Sequence, residues 1–246
     1  MAQDGTTWLQ EIVYSIMKGI EKSETSIEDR FPYLEFIYPG LSSIEKITEQ
    51  RFLKTHLPYS LLPESVHQKK PRIIYMMRNP KDVAVSYYHF VRMMTMTDYV
   101  GDFSNFFQDF LNDEVPYGPI WKHYADVWEH KDEPNVLILQ YEDFHKDIQG
   151  NIKKIGLFLG KHLTDKEVED IAYHCSFSSM SNNPSVNYQH WDDLGIRKKD
   201  EAKFFRKGQV GDWRNYFNSE MDDLMNVYIE NHFKSNDIKF CFDLNM

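Results

Sequence analysis

Two cysteines in 246 residues, Cys175 and Cys241, are too few for a disulfide framework and point to a reducing compartment. Long apolar runs are missing as well. Residues 73–77 and 136–139 are the longest and are strand-sized, whereas crossing a bilayer takes about 20 residues. The head of the chain, Met1-Ala2-Gln3-Asp4-Gly5, has neither the basic nor the apolar region of a secretory leader. These absences set the expectation of a cytoplasmic protein with no membrane segment. Positive charge is in deficit, with 28 Lys+Arg against 38 Asp+Glu, which argues against nucleic acid or an anionic membrane as partner. There is no internal repeat, and no compact His/Cys/carboxylate cluster with ligand spacing, so no metal is expected. What is plentiful is apolar material, 41% with 15% aromatic, ample for one packed domain over residues 1–246.

Periodicity then sorts the chain. Leu9, Ile12, Val13, Ile16, Met17 and Ile20 recur on one helical face. Residues 23–50 read as loops with a short helix, and 51–54 as a short strand ending at Thr55-His56-Leu57-Pro58. A buried strand over 72–77 leads into Arg78-Asn79-Pro80-Lys81-Asp82. There Asn79 suits an N-cap, Pro80 the first turn and Asp82 the positive dipole end of a helix running to about Met94. Two aromatic stripes, Phe103/Phe106/Phe107/Phe110 and Trp121/Tyr124/Trp128, read as core-facing helices. Residues 136–139 form a second buried strand leading to Tyr141-Glu142-Asp143. Thr164 with Glu167 makes a capping box, 176–203 reads as a long polar excursion, and Met221, Leu224, Met225 and Tyr228 mark a last helix. Strands separated by helices predict an α/β domain, a parallel sheet flanked by helices.

Two segments carry anion chemistry. Six basic residues crowd into 197–207 and run into Arg206-Lys207-Gly208 and Gly211-Asp212-Trp213. Fixed cations beside a glycine, where backbone N–H groups approach closely, suit a phosphate or sulfate; read alone, the segment is equally a solvated charged loop. At the other end, Gly5-Thr6-Thr7-Trp8 opens the first helix with free N–H groups and two hydroxyls. It is a phosphate cradle or an ordinary helix start, and it lacks the Gly-Lys-Ser/Thr ending of a kinase-type P-loop.

Taken in order, Gly5-Thr6-Thr7-Trp8-Leu9-Gln10-Glu11, Lys54-Thr55-His56-Leu57-Pro58, Arg78-Asn79-Pro80-Lys81-Asp82 with Ser86-Tyr87-Tyr88, Tyr141-Glu142-Asp143 and the 206–213 segment resemble the cytosolic sulfotransferase family. The resemblance runs from about Gly5 to the end of the chain. It implies a P-loop-like fold and transfer of a sulfuryl group from 3′-phosphoadenosine 5′-phosphosulfate (PAPS) to a hydroxyl or amine of a small acceptor. It further implies that Thr6 and Thr7 hold the 5′-phosphosulfate, and that Trp8 stacks on adenine opposite Phe177 with Tyr141 nearby. Arg78 and Ser86 would grip the 3′-phosphate, completed by Arg206, Lys207 and Gly208. His56 would be the catalytic base and Lys54 a cation near the transferring group. A catalytically silent nucleotide-binding member of the family is the alternative.

The likeness has two gaps. The family loop reads Pro-Lys-Ser-Gly-Thr-Thr-Trp after a central strand, whereas here Ala2, Gln3 and Asp4 stand before Gly5. The expectation is an N-terminally incomplete chain without the loop lysine or that first central strand. Asp4 would face the bound anion, a like-charge contact of about 4 kcal/mol at roughly 4 Å and an effective dielectric near 20. The family's dimer pattern would fall at Arg214, Asn218, Ser219 and Asp223, which keep only its charge signs, so a monomer or weak homodimer is expected.

Overall fold

A computed structural model describes residues 5–20, 25–37 and 40–244. The expectations attached to Ala2, Gln3 and Asp4 lie outside the described residues. The chain falls into two compact units: Met1–Gly5, Pro58–Ile148 and His190–Met246 in one, Thr6–Leu57 and Gln149–Gln189 in the other.

The first unit holds a parallel pair of strands, β1 (Ile73–Met77) and β2 (Val136–Gln140), with Ile73 opposite Val136 and Met77 opposite Gln140. These short apolar runs are less buried than their composition predicts, for Ile73, Ile74 and Tyr75 keep partial exposure and only Met76 and Met77 of β1 are fully buried. Arg78 follows directly after β1 and Tyr141 directly after β2. The Pro80–Met93 helix starts as its sequence dictates, with the Asn79 side chain accepting from the Asp82 N–H and Pro80 in the first turn. Its apolar face packs with the two aromatic helices, Phe103–Leu111 and Ile120–Trp128, and with Met225, Tyr228 and Phe233 of the C-terminal helix Ser219–Phe233. Leu224, assigned to that buried face by spacing, is instead 41% exposed.

The second unit is helical. Helix α1 (Thr6–Lys18) buries Leu9, Ile12, Val13 and Ile16 and touches helices Ile27–Arg30 and Asp165–His174. Ile20, predicted on the same face, lies past the helix end and is 40% exposed. The capping box forms as read: Thr164 accepts from the Glu167 N–H, and the Glu167 carboxylate accepts from the Thr164 N–H at 2.7 Å. Two expectations need correction. Residues 51–54 do not form a strand; only Lys54 pairs, in an isolated parallel bridge with Tyr33. The 176–203 stretch is not all irregular, since it contains the short helices Phe177–Ser181 and His190–Asp193, the second lying in the first unit.

A buried ion network ties this second unit together. Glu11, 3% exposed, meets Arg30 at 2.8 Å and His174 at 2.7 Å. Burial alone would raise the Glu11 carboxyl, but the His174 and Arg30 contacts overcome it and hold the group below its ordinary value. Glu11→Ala leaves the Arg30 guanidinium buried without its carboxylate, and is expected to lower the unfolding free energy by about 3–5 kcal/mol at pH 7. A carboxyl with a lowered folded pKa stabilises above its unfolded value and loses that contribution as pH falls through the folded value. Urea unfolding should therefore show the gap between wild type and Glu11→Ala closing under acid conditions; a gap independent of pH would contradict the assignment.

Candidate active site

In the first unit, the start of the Pro80–Met93 helix is locked to the 206–213 segment. Asp82, 1% exposed, accepts from the Gly211 N–H at 2.8 Å and the Trp213 N–H at 3.0 Å. Lys81 packs its ammonium 4.4 Å from the Trp213 ring centroid and pairs with Asp222. Arg78 donates to the Gln209 carbonyl at 2.9 Å and lies 4.3 Å over the Tyr141 ring. Next to Tyr141, the fully buried Glu142 accepts from the backbone and side-chain amides of Asn79, both at 2.9 Å, which fixes the turn carrying Arg78.

The structure thus brings Arg78 to the segment that holds Arg206, Lys207 and Gly208. Arg206 and Lys207 each lie 2.6 Å from a carboxylate oxygen of Asp212, which is 4% exposed. Burial would raise the Asp212 carboxyl, yet Lys207, Asn215 and Arg206 together keep it below the ordinary range, so it stays ionised and aligns both cations. His89, three residues past half-buried Ser86, makes a 2.7 Å hydrogen bond with the Tyr216 hydroxyl. Burial and the Arg206 charge push its pKa down to about 4, so it is neutral. The basic cluster is not one uniform patch. Arg197 pairs with Asp192 at 2.5 Å and Lys198 with Asp98 at 3.5 Å, so the early part of the run is engaged in ion pairs with carboxylates other than Asp212.

In the second unit, the parallel bridge between Tyr33 and Lys54 sets Glu35 opposite His56. Glu35 Oε1 lies 2.7 Å from His56 Nδ1 and accepts from the His56 backbone N–H at 2.9 Å. The His56 ring, with the residue 5% exposed, stacks on Tyr33 at 5.1 Å with Phe36 at 5.7 Å. Burial lowers the His56 pKa, against the opposing pull of Glu35. Lys54, 6% exposed, donates to the Tyr33 hydroxyl at 3.1 Å, and Tyr33 in turn hydrogen-bonds Tyr188. Tyr188 reaches the Thr7 hydroxyl at 3.4 Å. A chain of hydroxyls therefore joins the two threonines' loop to the Lys54–His56 segment.

The remaining predicted residues sit as follows. Gly5 has φ +86°, and a Cβ there would come within 2.5 Å of Tyr141, so glycine is required for this close approach. Thr6 starts α1, whose first turn carries no acidic side chain. Trp8 is half-buried and Phe177 is 41% exposed. Sequence reasoning missed Glu35, Tyr33 and Tyr188, and the bonds Asp82 makes to Gly211 and Trp213, because each acts through a partner distant in the chain; it also missed Asp212, whose partners Arg206 and Lys207 lie close by in the sequence. Among the described residues, no group of three or more His, Cys, Asp or Glu is arranged to hold a metal ion, and no helix is long and apolar enough to cross a membrane.

Comparison with known proteins identifies the family. The family model for the sulfotransferase domain matches residues 2–237. Sulfotransferase 1E1 of Bos taurus is 38% identical over 245 residues, covering 97% of this chain and 83% of that protein. Among solved structures, retinol dehydratase in complex with androsterone and inactive cofactor PAP has a TM-score of 0.88 at 30% identity, covering 98% of this chain and 80% of that one. Mouse sulfotransferase SULT7A1 complexed with PAP has a TM-score of 0.79 at 31% identity, covering 96% and 82%.

Proposed function

The chain belongs to the sulfotransferase family, and on that footing we propose that it transfers a sulfuryl group from PAPS to the hydroxyl, or amine, of a small acceptor. The observation that carries this reading is the joining of Arg78 to the Arg206–Lys207 cations through Gln209 and Asp82. A 3′-phosphate dianion calls for this combination of guanidinium forks and backbone amides. Arg78, Ser86, Arg206, Lys207 and Gly208 take the 3′-phosphate, while Thr6 and Thr7 at the helix N-terminus take the 5′ end. Trp8, Phe177 and Tyr141 supply flat faces for adenine. The donor supplies an activated sulfuryl group on a phosphate leaving group.

His56 removes the proton from the acceptor oxygen, since a protonated alcohol or phenol is a weak nucleophile. Lys54, held by Tyr33, places positive charge where negative charge grows on the transferring oxygens. The solved neighbours' names give retinol and androsterone as bound molecules, both small apolar alcohols. The aromatic surround of His56, Tyr33 and Phe36, suits an acceptor of that class. The whole chain works in this reading as one sulfotransferase domain of the cytoplasm. The test is transfer of sulfur-35 from labelled PAPS to a panel of phenols, steroids and alcohols. Labelled product from at least one is expected. Tight nucleotide binding with no product from any would leave the silent nucleotide-binding alternative standing.

A further inference from the structure

The 33–35 segment pairs in parallel with 54–56. Leu34 N–H donates to the Lys54 carbonyl at 2.8 Å, and Lys54 N–H to the Pro32 carbonyl at 3.1 Å. With Tyr33 opposite Lys54, two residues further on Glu35 stands across from His56 as a consequence of register. One oxygen of Glu35 then receives both the backbone N–H and the ring Nδ1 of His56, at 2.9 and 2.7 Å. We propose that Glu35 is the positioning residue of the catalytic base, fixing His56 as the Nδ1–H tautomer so that Nε2 receives the acceptor's proton. This rests on the transferase reading above and extends it to a residue outside the motifs that revealed it.

The tautomer follows from which partner can donate. Burial would raise the Glu35 carboxyl, but the His56 side chain, the His56 backbone N–H and the Thr55 hydroxyl bring it down to about 2. Glu35 is therefore an acceptor at any working pH, so the hydrogen of this contact belongs to Nδ1 and the lone pair to Nε2. In the reaction the acceptor's proton passes to Nε2 as the new oxygen–sulfur bond replaces the bond to the donor phosphate. The imidazolium charge formed is balanced by Glu35, and the proton is later released to water. Among the described residues, the charged and titratable groups that bear on the ring are Glu35, Lys54 and Tyr33; Lys54 opposes the imidazolium and Glu35 favours it.

The test pairs kinetics with a measurement that needs no turnover. Nitrogen-15 NMR of wild-type His56 should show a protonated Nδ1 and an unprotonated Nε2 above the ring's titration. Glu35→Gln keeps an oxygen acceptor at the same place but removes the charge. It should lower kcat by about 10- to 100-fold, leave the acceptor KM and product-nucleotide affinity within about twofold, and move the acid limb of kcat/KM down by about one pH unit. A residue serving only the fold would shift thermal stability and binding with the rate, and leave that limb in place. Should Glu35→Ala fail to fold, Glu35→Gln and the wild-type tautomer decide. Full kcat with an unmoved limb in Glu35→Gln, or an Nε2–H tautomer in a protein that transfers sulfate, overturns the proposal. The Nδ1–H tautomer in a protein that transfers nothing overturns the transferase reading and leaves the Glu35–His56 pairing in place.

Discussion

His56→Ala is expected to lower kcat by about 10²- to 10⁴-fold, the span that loss of a general base removes. The ring is buried, stacked on Tyr33 and held by Glu35, so it has one orientation to offer an acceptor. Lys54 cannot take over, because a protonated ammonium is a donor with no lone pair. Affinity for adenosine 3′,5′-bisphosphate (PAP) should stay within about twofold, since the cations assigned to its phosphates are held by Asp212, Gln209 and Asp82. The loss should be confined to the chemical step. The pH profile carries a second check. Burial depresses the His56 pKa, so the neutral ring persists below the ordinary histidine range, and activity should fall only as pH drops through the lowered value. Initial rates over an acid-to-neutral series, with the thermal midpoint of His56→Ala as a folding control, would measure both. Unchanged turnover in a folded variant would mean that another residue is the base.

Arg206→Ala should act on binding before it acts on chemistry. One charge-assisted hydrogen bond to phosphate is worth about 1.5–3 kcal/mol, or about 10- to 100-fold in affinity. The substitution also removes one of the two cations compensating Asp212, a carboxylate that is 4% exposed, and so leaves Lys207 alone to offset its repulsion of an incoming anion. The two effects have the same sign, and PAP affinity should fall by about 100-fold or more. AMP, which lacks the 3′-phosphate, should lose little. Arg206→Lys should fall between, because it keeps the charge without the planar fork. Lys207→Ala should cost less, as its side chain is 40% exposed and screened by water. Calorimetric titration of the variants with both nucleotides separates these outcomes. Equal losses for PAP and AMP would show that Arg206 does not read the 3′-phosphate.

Where local chemistry decides, the chain could be read directly. The Asn79–Pro80–Asp82 helix start, the Thr164–Glu167 box and the apolar face of α1 formed as expected, because each depends on residues within one turn. The Lys54–His56 segment was found through a family likeness, whereas the Arg206–Gly208 segment stood out by its crowded cations and glycine, equally readable as a solvated loop until the likeness was drawn. What could not be read is pairing over distance. Residues 51–54 look extended, but Lys54 meets a partner only at Tyr33, so a bridge forms in place of a strand. Arg197, Lys198 and Arg206 carry the same charge, and the different carboxylates each one meets, Asp192, Asp98 and Asp212, were not legible from that charge. Glu35 was invisible for the same reason: its role comes from the register of two loop segments, and no periodicity or motif marks it.

The central claim is that Arg78, Ser86 and the 206–208 segment form a reader of a 3′-phosphate, and it stands or falls on one comparison in the unaltered protein. The dissociation constants of PAP and AMP should be measured side by side at one salt concentration. Two or more charge-assisted contacts to the extra phosphate predict that PAP binds at least about 100-fold more tightly. Equal affinity for the two nucleotides would contradict the account at its root, since the aligned cations would then serve the fold alone.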